Sequence, residues 1–397
     1  MSDMKKYFLF ILPSVLLSAC CQQPGYECVN SSSADVTDKM FVLTRAEVEK
    51  YTAVDDSGFI RVTSASGNLL ASQMDDLDSD GRWDELAFVI DLKGNEKQPV
   101  TFKVGEPVEF EMRTNLRFGS AVEPNNAVTE QLRLKTNDSP TISAVYQMEG
   151  PAWENDKVGF RNYYDARNGM DIFGKKTARM VLDDAGIRGQ NYHELSDWGM
   201  DILKVGNSLG AGAIAIGVGD SIYRVGPCRE GHCLFVAEGP VRSIFDLSYL
   251  DVPAGDRLYD VKHRITIAAG DLCYQSQVWV KGLKGDEYLV TGIVDKHELA
   301  AIPFEEGLFH GIYTHGHQAY TDEILGMAVA APANQIIAFA EAPKRGTDVI
   351  ETHFMKLKLG ADAPASYLFF SGWELYDASF AEPQGFEAAV KANLNKY

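Results

Sequence analysis

Positive charge is in short supply. The 397-residue chain carries 37 Lys and Arg against 56 Asp and Glu, a formal net charge of -19. A surface of that sign repels nucleic acid and anionic lipid headgroups, so neither is an expected partner. An acidic sugar would need a local basic pocket set against the global field. Apolar length is also lacking at the N-terminus: the run over residues 7–17 falls below the ~20 residues of a membrane-spanning helix. Phosphate-binding glycine patterns are missing. Residues 206–219 are glycine-rich but have neither a Walker nor a dinucleotide arrangement, which removes nucleotide binding by those motifs. No serine nucleophile elbow is expected. Helical periodicity is sparse, confined to residues 43–51, a stretch around 197–205, and 384–393. No internal repeat is visible.

Cysteines number only six. Cys20 closes the sequence Leu17-Ser18-Ala19-Cys20, after the basic pair Lys5 and Lys6 and the short apolar run. Charge, apolar length and small residues before a cysteine together predict a lipoprotein signal over residues 1–19 and acylation of Cys20. A diacylglycerol with an amide-linked chain anchors stably where one chain would not. The expected location is the outer membrane or periplasm of a Gram-negative bacterium, with membrane contact through the lipid alone. Loss of residues 1–19 removes Asp3, Lys5 and Lys6, so the mature charge is -19 - 1 = -20. Residues 20–38, rich in Ser, Asp, Pro and Asn, read as a flexible tether. Cys228 and Cys233 bracket Arg-Glu-Gly-His, and an oxidising compartment favours a hairpin disulfide between them over a metal site using His232.

What the remaining chain has in quantity is alternation. Val108, Phe110 and Met112 alternate with charged residues; so do Val261, His263, Ile265 and Ile267, and Met355, Leu357 and Leu359. Period two predicts half-buried strands. Turn signals such as Ala65-Ser66-Gly67-Asn68 separate them. Many strands with few helices predict a mainly β fold, a large antiparallel β-sandwich. A small N-terminal β region is expected over residues 39–115 and the large sandwich over 116–397.

Four groups of residues bear on chemistry. Asp76, Asp78, Asp80 and Asp84, with Gly81 between them, have the spacing that wraps oxygens around calcium. Ala87 stands where an EF-hand has its last ligand, so the readings are a structural calcium site or a solvated acidic turn. The densest block, residues 150–176, holds Trp153, Arg161, Tyr163, Asp165, Arg167, Asp171 and Lys175. Extended, it puts Arg161, Tyr163, Asp165 and Arg167 on one face, and planar guanidiniums suit carboxylates. A salt-bridged sheet face is the structural alternative. Farther on, Ser196 is expected to cap a helix beside His193 and Trp198, and a histidine near an aromatic suits a general base with a sugar platform. His310, His315 and His317 form a fourth group without a fixed acidic partner.

These stretches, in this order, resemble the bacterial domain-of-unknown-function 4861 family. The likeness lies in residues 75–86, in Gly-Pro-Ala-Trp-Glu through Phe-Gly-Lys, in Tyr-His-Glu-Leu-Ser-Asp-Trp-Gly-Met-Asp and in Leu325-Gly326-Met327-Ala328-Val329. Asn155 stands where the family pattern has a smaller hydroxyl residue. The resemblance implies a galactose-mutarotase-like sandwich and an oligosaccharide dehydratase of the ulvan-degrading kind. Such an enzyme removes water from a non-reducing-end uronic acid and leaves a 4,5-unsaturated sugar. On that reading His193 and Tyr163 are base and acid in either order. Arg161, Arg167 and Lys175 would bind substrate, and Trp153 or Trp198 would stack on a sugar. No cofactor beyond a structural calcium is expected. The rivals are a sugar epimerase or mutarotase and a non-catalytic glycan-binding lipoprotein.

Overall fold

The computed structural model describes residues 25–397 apart from 55, 57, 120–125, 134–145, 188–189 and 347. The signal segment and Cys20 lie outside the described residues. The chain is mainly β, with 51% of residues in strands and 7% helical, and every strand pair in its sheets is antiparallel. Alternation produces this directly: in Arg257–Ala268, residues 259, 261, 263, 265 and 267 are buried and residues 258, 260 and 262 are exposed.

Two hydrophobic cores follow one another along the chain. The first is built from two small sheets over residues 26–105, around Val36, Ile60, Leu86, Phe88 and Phe102. The second draws on residues from 116 to 394. Its largest sheet runs, among the described residues, through nine strands from Ile302–Glu306 at one edge to Glu130–Arg133 at the other. A five-stranded sheet centred on Glu287–Val294 packs into the same core. Gln73 joins the two parts: its Oε1 accepts the backbone N–H groups of Val241 and Arg242, and Arg242 pairs with Asp75 and Glu85.

Three expectations about elements are corrected. Residues 25–38 are not a tether. Tyr26–Val29 pairs with Lys97–Gly105, Cys28 is buried, and the Asn30 side chain donates to Ala34 and Lys93 carbonyls. A polar composition concealed a short strand closed by an asparagine. Residues 108–112 alternate but have no partner strand; they run along a groove lined by Phe59 and Met74. The stretch at 197–205 is not a helix. Ser196 donates its hydroxyl to the Gly199 carbonyl, and Gly199–Asp201 joins a sheet by pairing with Met170–Lys175. Gly199 decides this. Its φ is +130°, and a Cβ there would lie 1.8 Å from the Gly174 carbonyl oxygen, so only glycine permits the approach. The terminal helix is present as Pro383–Leu394, and the helix near residue 45 is a single turn, Arg45–Val48, closed by a Thr44–Glu47 capping box.

Candidate functional site

A third sheet positions the residues of interest. Its strands, in spatial order, are Gly199–Asp201, Met170–Lys175, Gly159–Asn162, Ala152–Asn155 and Thr114–Arg117. The pleat divides it into two faces. Phe160, Ile172 and Met200 point into the main core. On the other face lie Arg161 opposite Asp171, Phe173 opposite Asp201, and the pair Lys175 and Glu154. A polar face in a sheet interior needs a cover and partners. The cover is formed by residues 177–187 and 190–198, held apolar to apolar by Val181, Leu182, Ala185 and Trp198 against Phe173.

Arg161 is the hub. It is 1% exposed and charged, so it demands acceptors. Its Nη2 donates to Asp171 Oδ2 at 2.8 Å, to Asp201 Oδ2 at 2.7 Å and to the Tyr163 hydroxyl at 3.1 Å. Its Nη1 donates to the Tyr192 hydroxyl at 3.0 Å and to the Met148 carbonyl at 3.1 Å. Met148 and Glu149 hold φ values of +53° and +65°. This left-handed backbone is sparsely populated for residues with a side chain, and such strain gathers at functional positions.

His193 reaches the same hub from the covering segment. The Asn191 side chain accepts the His193 N–H, and the Asp201 N–H bonds to the Tyr192 carbonyl at 2.8 Å. That docking sets the imidazole Nδ1 3.3 Å from Asp201 Oδ2, with the side chain 49% exposed. A carboxylate at Nδ1 fixes the proton there and leaves Nε2 as a base. The hydrogen bond to Asp201 raises the His193 pKa above its ordinary value, the Coulombic pull of Asp201 adding to it against partial burial.

Tyr163 forms the other arm. Its hydroxyl donates to Asp171 Oδ2 at 2.5 Å. Its ring lies between two guanidiniums, with Arg161 at 4.7 Å and Arg167 at 3.9 Å from the centroid. Burial pushes the Tyr163 pKa well above its ordinary value. Burial also pushes the Asp171 carboxyl up to about 7, with Asp201 adding repulsion and Arg161 opposing both. Two carboxylates on one guanidinium nitrogen in a dry site favour one shared proton.

Several sequence expectations are therefore corrected, each for a physical reason. Lys175 is fully buried and committed to Glu154 at 2.6 Å and to the Asn155 carbonyl, so it offers nothing to a substrate. Trp153 is 0% exposed, packed on Phe160, Phe245 and Tyr274 in the core. Trp198 is 6% exposed and leans on Phe173. Neither presents a ring face. Arg161 is saturated by protein acceptors, whereas Arg167 keeps 22% of its side chain exposed while bound to Asp165 and Glu149. Tyr163 and Arg167 do not share an extended strand with Arg161, since the chain turns over residues 164–167, yet the stack brings them together.

Cys228 and Cys233 are free thiols, not a disulfide. Cys233 points into the core from Glu230–Ala237, while the Cys228 sulfur bonds the Glu230 carbonyl and accepts from Arg133. Asp76, Asp78 and Asp84 bring carboxylate oxygens within 4.8 Å of one another, but Asp80 is not of this group and accepts the Arg82 N–H instead. Three convergent carboxylates are a donor set suited to a hard cation, short of calcium's six to eight oxygens. The loop borders a cavity of about 560 Å³ lined by Arg45 and Trp83. His310, His315 and His317 go to separate partners: Glu305, the Phe380 carbonyl and the Asp322 carbonyl.

Two relationships escaped sequence reading, the pairing of Tyr320 with His193 and the Gly-x-Ser-x-Gly letters over residues 206–210. Tyr320 is 53% exposed and its ring centroid lies 6.3 Å from that of His193; its N–H bonds the Ile202 carbonyl at 2.7 Å. Nothing local in sequence joins residues 193 and 320. Gly206-Asn207-Ser208-Leu209-Gly210 does carry the letters of a nucleophile elbow. Ser208 is nevertheless buried, with its hydroxyl donated to the Val205 carbonyl, so it is no nucleophile.

The profile of a protein family described as a domain of unknown function, DUF4861, matches residues 28–397. The chain belongs to that family. It is 23% identical over 410 residues to uncharacterized protein P7 of Formosa agariphila, covering 98% of this chain and 94% of the relative. Two solved structures from Enterococcus faecalis also resemble it, each with a TM-score of 0.41. One is an alpha-mannosidase of strain V583 at 12% identity over 92% of this chain, and the other is a glycosyl hydrolase family 38 protein at 10% over 92%. The chain spans 45% and 46% of their lengths, under half of each.

Proposed function

We propose that this chain is a carbohydrate lyase that removes water from the uronic acid at the non-reducing end of an oligosaccharide, leaving a 4,5-unsaturated uronate. The observation that carries this reading is the joining of two arms at one guanidinium: an imidazole oriented by a carboxylate, and a phenol bonded to a second carboxylate. Elimination needs a base for the proton at C5 and an acid for the hydroxyl leaving C4. His193 Nε2, half-exposed, takes the C5 proton. Tyr163 protonates the leaving hydroxyl. Arg167 is the partly exposed guanidinium beside Tyr163 and receives the sugar carboxylate, which lowers the charge that builds toward the enolate. Tyr320 offers the ring face on which a pyranose stacks.

Incubation with oligosaccharides ending in a uronic acid tests this. Loss of one water by mass, with a new ultraviolet absorbance from the conjugated double bond, is expected. The His193→Ala variant should lose at least ~100-fold in turnover, the scale of proton-transfer catalysis. An inverted sugar without a double bond would replace the reading with an epimerase, and binding without turnover would replace it with a glycan-binding protein.

A further inference from the structure

The acid arm has a component that this mechanism has not yet used. Asp171 is 1% exposed, it accepts the Tyr163 hydroxyl at 2.5 Å, and it shares Arg161 Nη2 with Asp201. With Tyr163 donating to Asp171, the phenolic proton is held by that carboxylate, so Tyr163 in that state has no proton to give. The geometry resolves this only if Asp171 carries the proton. Then Asp171 donates to the Tyr163 oxygen, Arg161 donates to the same oxygen, and the phenolic hydrogen is released from the carboxylate. We infer that Asp171 is the proton reservoir of the site and works through Tyr163, as a positioning residue that never touches substrate. The inference rests on the dehydratase reading.

The step balances. The C5–H bond breaks and its proton goes to His193 Nε2. The electron pair becomes the C4–C5 double bond and the C4–O bond breaks. The leaving hydroxyl takes the Tyr163 proton and departs as water, and the Tyr163 oxygen takes the proton from Asp171. His193 ends as imidazolium and Asp171 as carboxylate, so the enzyme's net charge is unchanged. Solvent then removes the first proton and restores the second.

Two further observations favour a protonated Asp171 at rest. Four carboxylates, from Glu149, Asp165, Asp171 and Asp201, face the two guanidiniums of Arg161 and Arg167. With all ionised, the cluster has a charge of +2 - 4 = -2, and a sugar carboxylate would enter against it. One proton on Asp171 halves that excess. Burial, the first cause, and Asp201 both push the Asp171 carboxyl up. Arg161, Asp201 and Tyr163 are the ionisable groups in contact with Asp171, while His193, Tyr192, Glu149 and Arg167 complete the shell around the hub.

The test compares pH profiles of kcat. Wild-type turnover should fall on the alkaline side as Asp171 ionises. Asp171→Asn, which has the same shape and no proton to relay, should lose ~100-fold in kcat and lose that alkaline limb. A uronate bearing fluoride at C4, which departs without a proton, should be turned over by Asp171→Asn within a few-fold of wild type and still require His193. Should Asp171→Asn not fold, Tyr163→Phe serves: it disconnects Asp171, so its residual turnover should lack the alkaline limb. An unchanged alkaline limb in either variant, or an equal defect on the fluoride and hydroxyl substrates, overturns the inference. Absence of water loss by wild type would instead sink the dehydratase reading.

Discussion

The Oδ2 atom of Asp201 lies 3.3 Å from Nδ1 of His193 while accepting a 2.7 Å hydrogen bond from Arg161. One carboxylate oxygen thus orients the imidazole and is itself held by a buried cation. Asp201→Asn preserves shape and removes charge. Since the hydrogen bond to Asp201 raises the His193 pKa, the substitution should lower it. The acid limb of kcat should then move to lower pH, with kcat falling ~100-fold or more through loss of the correct tautomer. Kinetics across pH, read by ultraviolet absorbance, decide; an acid limb that stays in place would disconnect Asp201 from His193.

On the proposed reading, Tyr320 takes the place of both tryptophans as the sugar platform. A stacked ring contributes to ground state and transition state alike, so Tyr320→Ala should raise KM about tenfold and leave kcat within a few-fold. Tyr320→Phe should stay near wild type, since the ring face is retained. A kcat defect with unchanged KM would assign Tyr320 another task.

The fold was legible because its signal is local. Alternation at 261–267 and 355–359 gives strands whether or not their neighbours are known. The meeting of the candidate residues was legible in the sequence, and their exposure was not. The block at 150–176 and the histidine at 193 do meet, through contacts at Arg161 and Asp201. Which residues face solvent depends on the register Trp153↔Phe160, which sends Trp153 into the core, and on the cover over Lys175. Gly199 shows the same limit: its close approach to Gly174, 25 residues earlier, turned an expected helix into a strand. The pairing of Tyr320 with His193 was invisible for a similar reason, because sequence distance hides it.

Arg161 is a structural charge and not a substrate ligand. Its removal leaves the Asp201 carboxylate buried and uncompensated and takes a hydrogen-bond donor from Asp171. Arg161→Met should cost about 3–5 kcal/mol, the range for breaking a buried ion pair from one side. Arg161→Lys should recover part of that loss, because an ammonium supplies charge without the fork that binds Asp171, Asp201 and Tyr192 together. Urea unfolding measures both. Full stability of Arg161→Met with a pure KM defect would return Arg161 to substrate binding.

His263 supplies part of the pH dependence of the fold. It is fully buried in Arg257–Ala268, with Nε2 2.9 Å from the Ser276 hydroxyl, and burial lowers its pKa to about 3. The unfolded chain takes up that proton near pH 6.5. The folded pKa is the lower one, so this contribution to stability is present above about pH 6.5 and is lost as pH falls toward 3, on the order of 5 kcal/mol in all. Asp171, whose folded pKa is raised to about 7, acts in the opposite sense: its contribution is lost as pH rises. A wild-type profile alone would mix the two. His263→Leu removes only the first, whatever constant cost it adds at Ser276. The difference in unfolding free energy between the two proteins should therefore change with pH by about 1.4 kcal/mol per unit between pH 4 and 6. Parallel profiles over that range would mean His263 does not titrate differently on folding.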